Sequence, residues 1–357
     1  MFGKKKNVVG LDIGSYAIKA VELKAVKKQQ EDAYEVVRIG YEPIPKDAIV
    51  EGTIIDSTAV SETLKLVFKE TSISNKNTVI SISGNSVIIK KISLPSMETE
   101  ELAESIIWEA KHNIPYPYEE TNVDYAMLKS TKESDERNLD ILLVAAKKDK
   151  IANYSNVISQ IRKNLVAIEV DVFALQNAYE INYPELFQEK TVAIINLGAN
   201  ITNIIIIEKG IPQLFRDLAI GGALFAENIS KELNCNFDEA EKMIKGIPVD
   251  NVPDEQFNFI LNMNVQTLLE EIEKTISFYS SGEKEEKKVE LVFLSGGLSK
   301  LTNLNSLIEQ KIQVKTEIFN PFRRISFNEK KLDSVYFEDM AAFFGVATGL
   351  ASRQQEK

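Results

Sequence analysis

Two stretches of the chain share a pattern of apolar positions that predicts a β-hairpin in each. Residues 8–23 read VVGLDIGSYAIKAVEL, and residues 192–207 read VAIINLGANITNIIII. In both, a β-rich apolar run ends in a short turn with an acid or amide two residues before a glycine, and a second β-rich run follows. Shifted by 184 positions, the stretches align without a gap, with Asp12 on Asn196. This repetition indicates a duplicated domain.

The turns of the two hairpins have the chemistry of a phosphate site. We expect Gly14 and Gly198 to let the backbone adopt a positive φ and approach a ligand without a Cβ in the way. A carboxylate or amide beside exposed turn N–H groups suits a phosphate and its Mg²⁺. A single DxG turn is usually only a turn, but the matched pair predicts two phosphate loops that face one cleft.

Each half also has a second strand that closes on Ser-Gly, in 77–85 and in 289–304. In the second half, Gly296 and Gly297 lead into a predicted helix. The apolar side of that helix carries Leu301, Leu304 and Leu307. Paired glycines before a helix suit a flat ring or a phosphate lying on the backbone. An ordinary strand-to-helix turn is an equally good explanation.

Patterning along the rest of the chain predicts two lobes, 1–189 and 190–357. In the first lobe, a strand, an acidic helix over 97–111 and two further strands predict an inserted subdomain at about 87–146. The second lobe contains a predicted smaller helical subdomain at about 221–288, with apolar residues at helical spacing.

Composition narrows the class of protein. The chain has 357 residues, of which 44% are hydrophobic and 27% charged, which is typical of a globular protein of two domains. Its single cysteine, Cys235, excludes an internal disulfide framework, and its single histidine, His112, argues against zinc sites and Ser-His-Asp catalysis. A net charge of −11 argues against a nucleic-acid surface.

The motifs resemble those of the actin/Hsp70/sugar-kinase ATPase superfamily. The first phosphate motif is matched by Asp12, Gly14, Ser15 and Lys19, the second by Asn196, Gly198 and Thr202, and the adenosine motif by Gly296 and Gly297. The resemblance implies an α/β actin-like ATPase fold with two duplicated lobes around a nucleotide cleft. The inserted segment corresponds to the 1C subdomain of FtsA.

Within this superfamily the chain resembles the PilM family of type IV pilus assembly proteins almost throughout. The opening residues, the loop and helix at 218–233 and the segment 94–128 carry the resemblance. The last of these is the most specific, with Trp108-Glu109-Ala110 followed by Ile114-Pro115-Tyr116-Pro117. The family implies a cytoplasmic ATP-binding scaffold of pilus biogenesis and twitching motility, peripheral at the inner membrane.

The resemblance also implies roles for individual residues around ATP or ADP with Mg²⁺. Asp12 would hold the hydrated Mg²⁺, the Gly14 and Ser15 backbone the β-phosphate, and Lys19 would neutralise developing charge. Asp171 lies where relatives orient the attacking water, and a helix N-cap is its equally good alternative. Glu241 and Lys245 would reach the ribose, unless they form only a surface ion pair. Ser299 belongs to the expected lid at 296–299.

Asn196 departs from the superfamily pattern, which has aspartate at this position. Asparagine keeps the shape and a carbonyl ligand but loses the charge and any role as a base. We therefore expect nucleotide binding to survive and hydrolysis to be slow or absent.

The resemblance implies a partner, the cytoplasmic N-terminal peptide of a PilN-like membrane protein, besides other pilus components and possible self-association. We expect its groove where the inserted subdomain meets the main sheet, at Ile114, Pro115 and Tyr116. The alternative is that these residues only end the preceding helix and pack inside, which suits Ile114 best. Without an apolar stretch of ~20 residues, membrane contact would need a partner.

Two other functions remain open at this point. An FtsA-like division protein or filament-forming ATPase shares the fold, although the chain ends in ASRQQEK without FtsA's terminal amphipathic helix. A metabolic kinase of the superfamily is the third reading. It is disfavoured because the inserted segment offers an amphipathic acidic helix rather than substrate-binding polar residues.

Overall fold

The computed structural model describes residues 7–28, 31–128, 138–250, 252–281, 287–328 and 334–353. In its first half, strands and helices alternate around one main sheet. The strands are β1 (Val9–Ile13), β2 (Ala17–Lys28), β3 (Glu31–Pro43), β4 (Ile49–Val50), β5 (Thr53–Ile54), β6 (Asn77–Ile82), β7 (Val87–Pro95), β8 (Thr121–Met127), β9 (Asn138–Lys147) and β10 (Asn164–Val170). The helices are α1 (Ser57–Glu70), α2 (Thr99–Asn113), α3 (Lys148–Gln160), α4 (Asp171–Asn182) and α5 (Pro184–Glu189).

The second half repeats the arrangement. Its strands are β11 (Thr191–Leu197), β12 (Thr202–Glu208), β13 (Ile211–Leu218), β14 (Leu291–Ser295) and β15 (Thr316–Ile318). Its helices are α6 (Gly222–Leu233), α7 (Phe237–Ile244), α8 (Asp254–Ser280), α9 (Leu304–Ile312), α10 (Ser334–Met340) and α11 (Gly345–Ser352). No helix in the described part of the chain combines the length and apolar character that crossing a bilayer requires.

The two main sheets have the same topology. The first runs β3-β2-β1-β6-β10 and the second β13-β12-β11-β14-β15. In each sheet the first three strands are antiparallel, and the last two run parallel to the central strand, which is β1 in the first sheet and β11 in the second. The duplicated hairpins are β1–β2 and β11–β12, as the repeat predicted. Their strands are apolar because both faces of each sheet are covered.

A third sheet, β7-β9-β8, forms with α2 a unit of its own between β6 and α3. Its core contains Leu102, Ile106 and Ala110 of α2 packed against Ile141 and Leu143 of β9. Helix α2 spans 99–113 rather than the predicted 97–111. Its buried residues are spaced i, i+4 and therefore lie on the one face that packs against the sheet. The helix ends where Ile114 adopts an extended backbone conformation.

The predicted helix after the glycine pair begins later than expected. Residues Gly297–Lys300 form a single 3-10 turn, and α9 starts only at Leu304, after Asn303 adopts a left-handed φ of 63°. Leu301 therefore lies outside the helix, although it still packs against the apolar core of the second main sheet.

The C-terminal segment returns to the first half and packs between the sheets. A Cβ at Gly349 would lie 1.7 Å from the carbonyl oxygen of Ala174 in α4, and one at Gly10 of β1 would lie 2.2 Å from that of Ala347. These contacts are possible only where neither chain carries a side chain. Helices α4 and α11 thus form a core shared by both halves.

Candidate functional site

A cavity of 730 Å³ lies between the two main sheets, at the carboxyl ends of their parallel strands. This is where open α/β sheets usually bind ligands, and the volume suits a small molecule. The predicted site residues in its wall are Asp12, Gly14, Ser15, Lys19, Asp171, Asn196, Gly198, Glu241, Lys245, Gly296 and Gly297.

The glycines of the two hairpin turns are required for close packing rather than for φ. Neither Gly14 nor Gly198 is among the residues with positive φ, so that expectation was wrong. A Cβ at Gly198 would instead lie 2.5 Å from the carbonyl oxygen of Ile201, and one at Gly14 would lie 3.1 Å from that of Ala17. The turns are therefore tight, and the glycine N–H groups are used inside them: Gly14 donates to the Ala17 carbonyl over 3.2 Å and Gly198 to the Ile201 carbonyl over 3.1 Å. The expectation that the Gly14 N–H holds a phosphate was therefore wrong.

The first hairpin brings a carboxylate and an ammonium group together. Asp12 and Lys19 are directly paired across β1 and β2, and Lys19 Nζ lies 2.9 Å from Asp12 Oδ2. The next residue in the same row is Tyr41 on β3, whose pKa is raised by burial. We call Asp12, Lys19 and Tyr41 the first polar row.

Asp171 is the first residue of α4, directly after β10, and Val170 rather than Asp171 occupies the cap position. Its side chain does not cap the helix, so the helix-cap alternative was wrong. Burial, with the nearby Asp12 charge, raises the pKa of Asp171 to about 6. The Ser81 and Ser83 hydroxyls oppose this rise, although the Ser81 hydroxyl is not aligned for a hydrogen bond. A carboxyl with such a pKa can accept a proton near neutral pH.

On the second hairpin, Asn196 occupies the position that Asp12 has on the first. Its amide donates to Asn203 Oδ1 over 3.2 Å, and the Asn203 amide donates to Asp217 Oδ1 over 2.8 Å. The three residues are directly paired across β11, β12 and β13. We call Asn196, Asn203 and Asp217 the second polar row.

The glycine pair after β14 packs on this hairpin. Gly296 has a φ of 86°, and a Cβ there would lie 2.5 Å from the Leu197 carbonyl oxygen and 2.8 Å from Asn196 Oδ1. The side-chain carbonyl oxygen of Asn196 therefore lies beside Gly296, and both residues line the cavity.

Glu241 and Lys245 lie at the end of α7, which stops at Ile244, so Lys245 caps the helix. Their charged groups are 3.5 Å apart. Lys245 Nζ also donates to the hydroxyl of Tyr16, in the first hairpin turn, over 2.6 Å. The pair thus contacts both halves of the molecule at the rim of the cavity.

Three predicted residues do not reach the cavity or a free surface. The Thr202 hydroxyl donates to the Ile220 carbonyl over 2.7 Å, and the Ser299 hydroxyl donates to the Gly296 carbonyl over 2.6 Å, so both brace backbone turns. Ile114 is 7% exposed in the core of the third sheet, and the packing alternative is correct for it.

The other two residues of the expected peptide groove remain accessible. Pro115 is exposed, and Tyr116 is half-buried near the junction between the third sheet and the first main sheet. The Tyr116 hydroxyl donates to the Asn85 carbonyl over 2.6 Å, and Lys147 Nζ lies 4.1 Å from its ring centre.

Sequence reasoning missed Asn203 and Asp217. The offset of 184 that aligns Asp12 with Asn196 also aligns Lys19 with Asn203. That signal was available, because a polar residue stands there within an otherwise apolar strand. Asp217 had no equivalent in the repeat.

The arrangement can hold a cation on Asp12 and an anion on the backbone N–H groups of Ser15 and Ala199, which follow the two turn glycines in the cavity wall. Among the described residues, no group of three acidic, histidine or cysteine side chains could ligate a metal directly. A divalent cation at Asp12 would therefore need ligands from water and from the anion, as Mg²⁺ commonly uses.

Known proteins resemble this chain over almost its whole length. Residues 10–355 match the family model described as type IV pilus assembly protein PilM. The fold is similar to that in the PilM-PilN type IV pilus biogenesis complex, with a TM-score of 0.86, 24% identity, and coverage of 97% of this chain and 98% of that one.

Two further structures are more distant. The ethanolamine utilization protein EutJ from Carboxydothermus hydrogenoformans has a TM-score of 0.52 and 13% identity, covering 98% of this chain and 91% of that one. MreB5 of Spiroplasma citri bound to ADP has a TM-score of 0.52 and 14% identity, covering 96% and 94%. The predicted actin-like fold is confirmed.

Proposed function

The chain belongs to the PilM family of type IV pilus assembly proteins, and from that premise we propose that it is a nucleotide-binding scaffold of the pilus platform. The observation that carries the proposal is the 730 Å³ cavity, which both hairpin turns line together with Asp12 and Lys19. ATP or ADP with Mg²⁺ is the ligand class that these features fit, since phosphate binds backbone N–H groups.

In this proposal each element of the cavity wall has one task. The backbone N–H groups of Ser15 and Ala199, next to the two turn glycines, bind phosphate oxygens, Asp12 binds a Mg²⁺ ion through water, and Lys19 balances the charge. Glu241 and Lys245 face the ribose, and the Gly296–Gly297 backbone lies against the base. Mg²⁺, when bound, supplies charge neutralisation of the phosphates.

Titration of the purified protein with ATP and ADP, with and without Mg²⁺, tests this proposal directly. Nucleotide retained through purification would support it. Absence of binding at millimolar nucleotide would refute it, since cellular nucleotide reaches that range.

We propose that turnover is slow or absent. Asn196 contributes no charge and no base at the second turn, and the remaining candidate for orienting water is Asp171. Phosphate release should stay near that of an Asp171→Ala variant. Steady release far above that control would contradict the proposal.

We further propose that the protein docks the N-terminal peptide of a PilN-like membrane protein, as the related PilM-PilN complex suggests. Strands β7 and β8 are the edges of the third sheet, and an edge can pair with an extended peptide. Tyr116 and the exposed Pro115 lie at one end of that sheet. Docking in this way would bring the protein to the cytoplasmic face of the inner membrane.

Fluorescence titration with the labelled peptide tests the docking site. Tyr116→Ala should weaken binding, whereas Trp108→Ala, at a 57% exposed aromatic on the outer face of α2, should not. The opposite result would move the groove to α2. Exposed Glu119 and Glu120 beside Tyr116 predict weaker binding at high salt if the peptide is basic.

A further inference from the structure

The second polar row has a defined direction of hydrogen bonding. A carboxylate accepts hydrogen bonds and cannot donate them, so Asp217 requires the NH₂ group of Asn203 to face it. The carbonyl oxygen of Asn203 must then face Asn196, which donates its own NH₂ group. Asn196 is left with its carbonyl oxygen free for the cavity.

Burial makes this direction hard to reverse. Asn203 is only 2% exposed, so water cannot satisfy an amide group that faces the wrong partner. Asp217 itself is exposed, lines a neighbouring cavity of 460 Å³ and remains a good acceptor. The orientation of Asn196 is thus decided two strands away.

The same carboxylate also contacts the first half of the molecule. Asp217 Oδ2 accepts the backbone N–H of Gly84 over 2.8 Å. Gly84 is buried with a φ of 82°, and a Cβ there would lie 3.0 Å from Ile201 Cδ1 in the second turn. A buried N–H needs a partner, and Asp217 is the partner that it has.

The peptide group that reaches Asp217 is held from its other side too. Its carbonyl, on Ser83, accepts a hydrogen bond from the ammonium of Lys150, which is 5% exposed. The Ser83–Gly84 peptide is therefore aligned between a cation of the first half and an anion of the second.

We propose that Asp217 is a positioning residue of the nucleotide site. Its carboxylate fixes the orientation of Asn203 and thereby of Asn196, and it couples that orientation to the contact between the two halves at Gly84. This inference rests on the proposed function for its ligand, but the hydrogen-bond row exists without the ligand and can be tested alone.

The row explains why asparagine at 196 goes together with aspartate at 217, and a reciprocal exchange tests it. In Asn196→Asp, the Asn203 amide meets a carboxylate on both sides and can serve only one. In Asp217→Asn, the new amide cannot accept from both Asn203 and Gly84. In the double variant every partner is matched again, with the direction of the row reversed.

The experiment measures three properties in the parent, both single variants and the double variant: Mg-ATP affinity, melting temperature, and hydrogen exchange of the Gly84 amide. Each single variant should bind Mg-ATP about tenfold more weakly and melt at a lower temperature, because one buried group is unsatisfied. The double variant should return to within about threefold of the parent affinity. Asp217→Asn should also speed exchange at Gly84.

A merely structural role would lower and then restore the melting temperature in these variants without changing Mg-ATP affinity. Losses that add in the double variant, or unchanged Gly84 exchange in Asp217→Asn, would overturn the proposal. Asp124→Asn, at an exposed aspartate of β8, is the matched control and should change none of the three properties. If the parent binds no nucleotide, the proposed function fails, while melting and exchange still decide on the row.

Discussion

The first and second polar rows occupy equivalent places in the two sheets but distribute their charge differently. In the first row the carboxylate of Asp12 lies on the inner strand and is paired with Lys19. In the second row the inner and middle positions are the neutral Asn196 and Asn203, and the carboxylate of Asp217 lies on the outer strand.

The difference separates two tasks that one duplicated element performs. The first row keeps both of its charges beside the cavity, where Lys19 can attract an anion and Asp12 a cation. The second row moves its charge to the contact with Gly84 and leaves only an amide at the cavity. Duplication therefore supplied two similar hairpins, of which one is suited to ligand binding and the other also to joining the lobes.

Removing the carboxylate of the first row should have the largest effect. Asp12→Ala would leave Lys19 unpaired and the proposed Mg²⁺ without its anionic support, so we expect nucleotide affinity to fall by about a hundredfold. Asp12→Asn, which makes the first row resemble the second, should lose about tenfold. Calorimetric titration measures both, with Asp124→Ala as the control. Parent-like binding by Asp12→Ala would show that the rows do not differ in this way.

A substitution at Gly296, which packs against Asn196, should perturb the second polar row. Gly296→Ala places a methyl group against Leu197 and Asn196 at a φ of 86°, and we expect the free energy of unfolding to fall by about 2 kcal/mol. Gly297→Ala is a matched control, because its Cβ would meet only the Phe343 ring at 3.5 Å. Denaturant unfolding distinguishes them, and equal losses would contradict the close contact.

The charge of the first row is also felt by Asp171. Because the folded-state pKa of Asp171 is raised from 3.8 to about 6, its ionisation costs stability as pH rises from about 4 to 6, and the cost persists above. Asp171→Asn should raise the free energy of unfolding by about 1–3 kcal/mol at pH 7.5 and hardly change it at pH 4.

The source of this effect can be checked in the Asp12→Asn background. Burial is the main cause of the raised pKa and the Asp12 charge the second, so the gain from Asp171→Asn should shrink there but not vanish. An equal gain in both backgrounds would mean that the first row does not act on Asp171.

The smallest expected effect concerns the segment next to the end of the second row. Tyr116→Phe removes the hydrogen bond to the Asn85 carbonyl, one residue beyond Gly84. Peptide affinity should fall by at most about fivefold, because the Tyr116 ring loses the hydrogen bond that orients it and a neutral hydrogen bond contributes about 1 kcal/mol. Tyr118→Phe serves as the control. A parent-like affinity of Tyr116→Phe would separate the peptide site from this contact.

The sequence was sufficient for features that depend on local pattern. Each hairpin is coded within sixteen consecutive residues, so strands β1, β2, β11 and β12 and the facing turns follow from apolar runs and glycine spacing. The match between Asp12 and Asn196 is likewise visible as a repeat.

Features that depend on long-range pairing were beyond it. Asp217 reaches the second row only because β13 pairs with β12 in one register, and that register shifts near Ile206. The start of α9 was misjudged because the left-handed backbone of Gly296 and Asn303 turns the chain before a helix can form. Ile114 was expected in the peptide groove, with packing inside the subdomain as the alternative, and the packing of α2 on β9 decides for the alternative.

The return of α11 to β1 has a consequence for synthesis on the ribosome. Gly10 of β1 is covered by Ala347, which is added to the chain more than three hundred residues later. Until then the first sheet exposes the apolar face that α11 will cover. Because such exposed surface favours aggregation and chaperone binding, the nascent chain should stay chaperone-dependent until α11 is released.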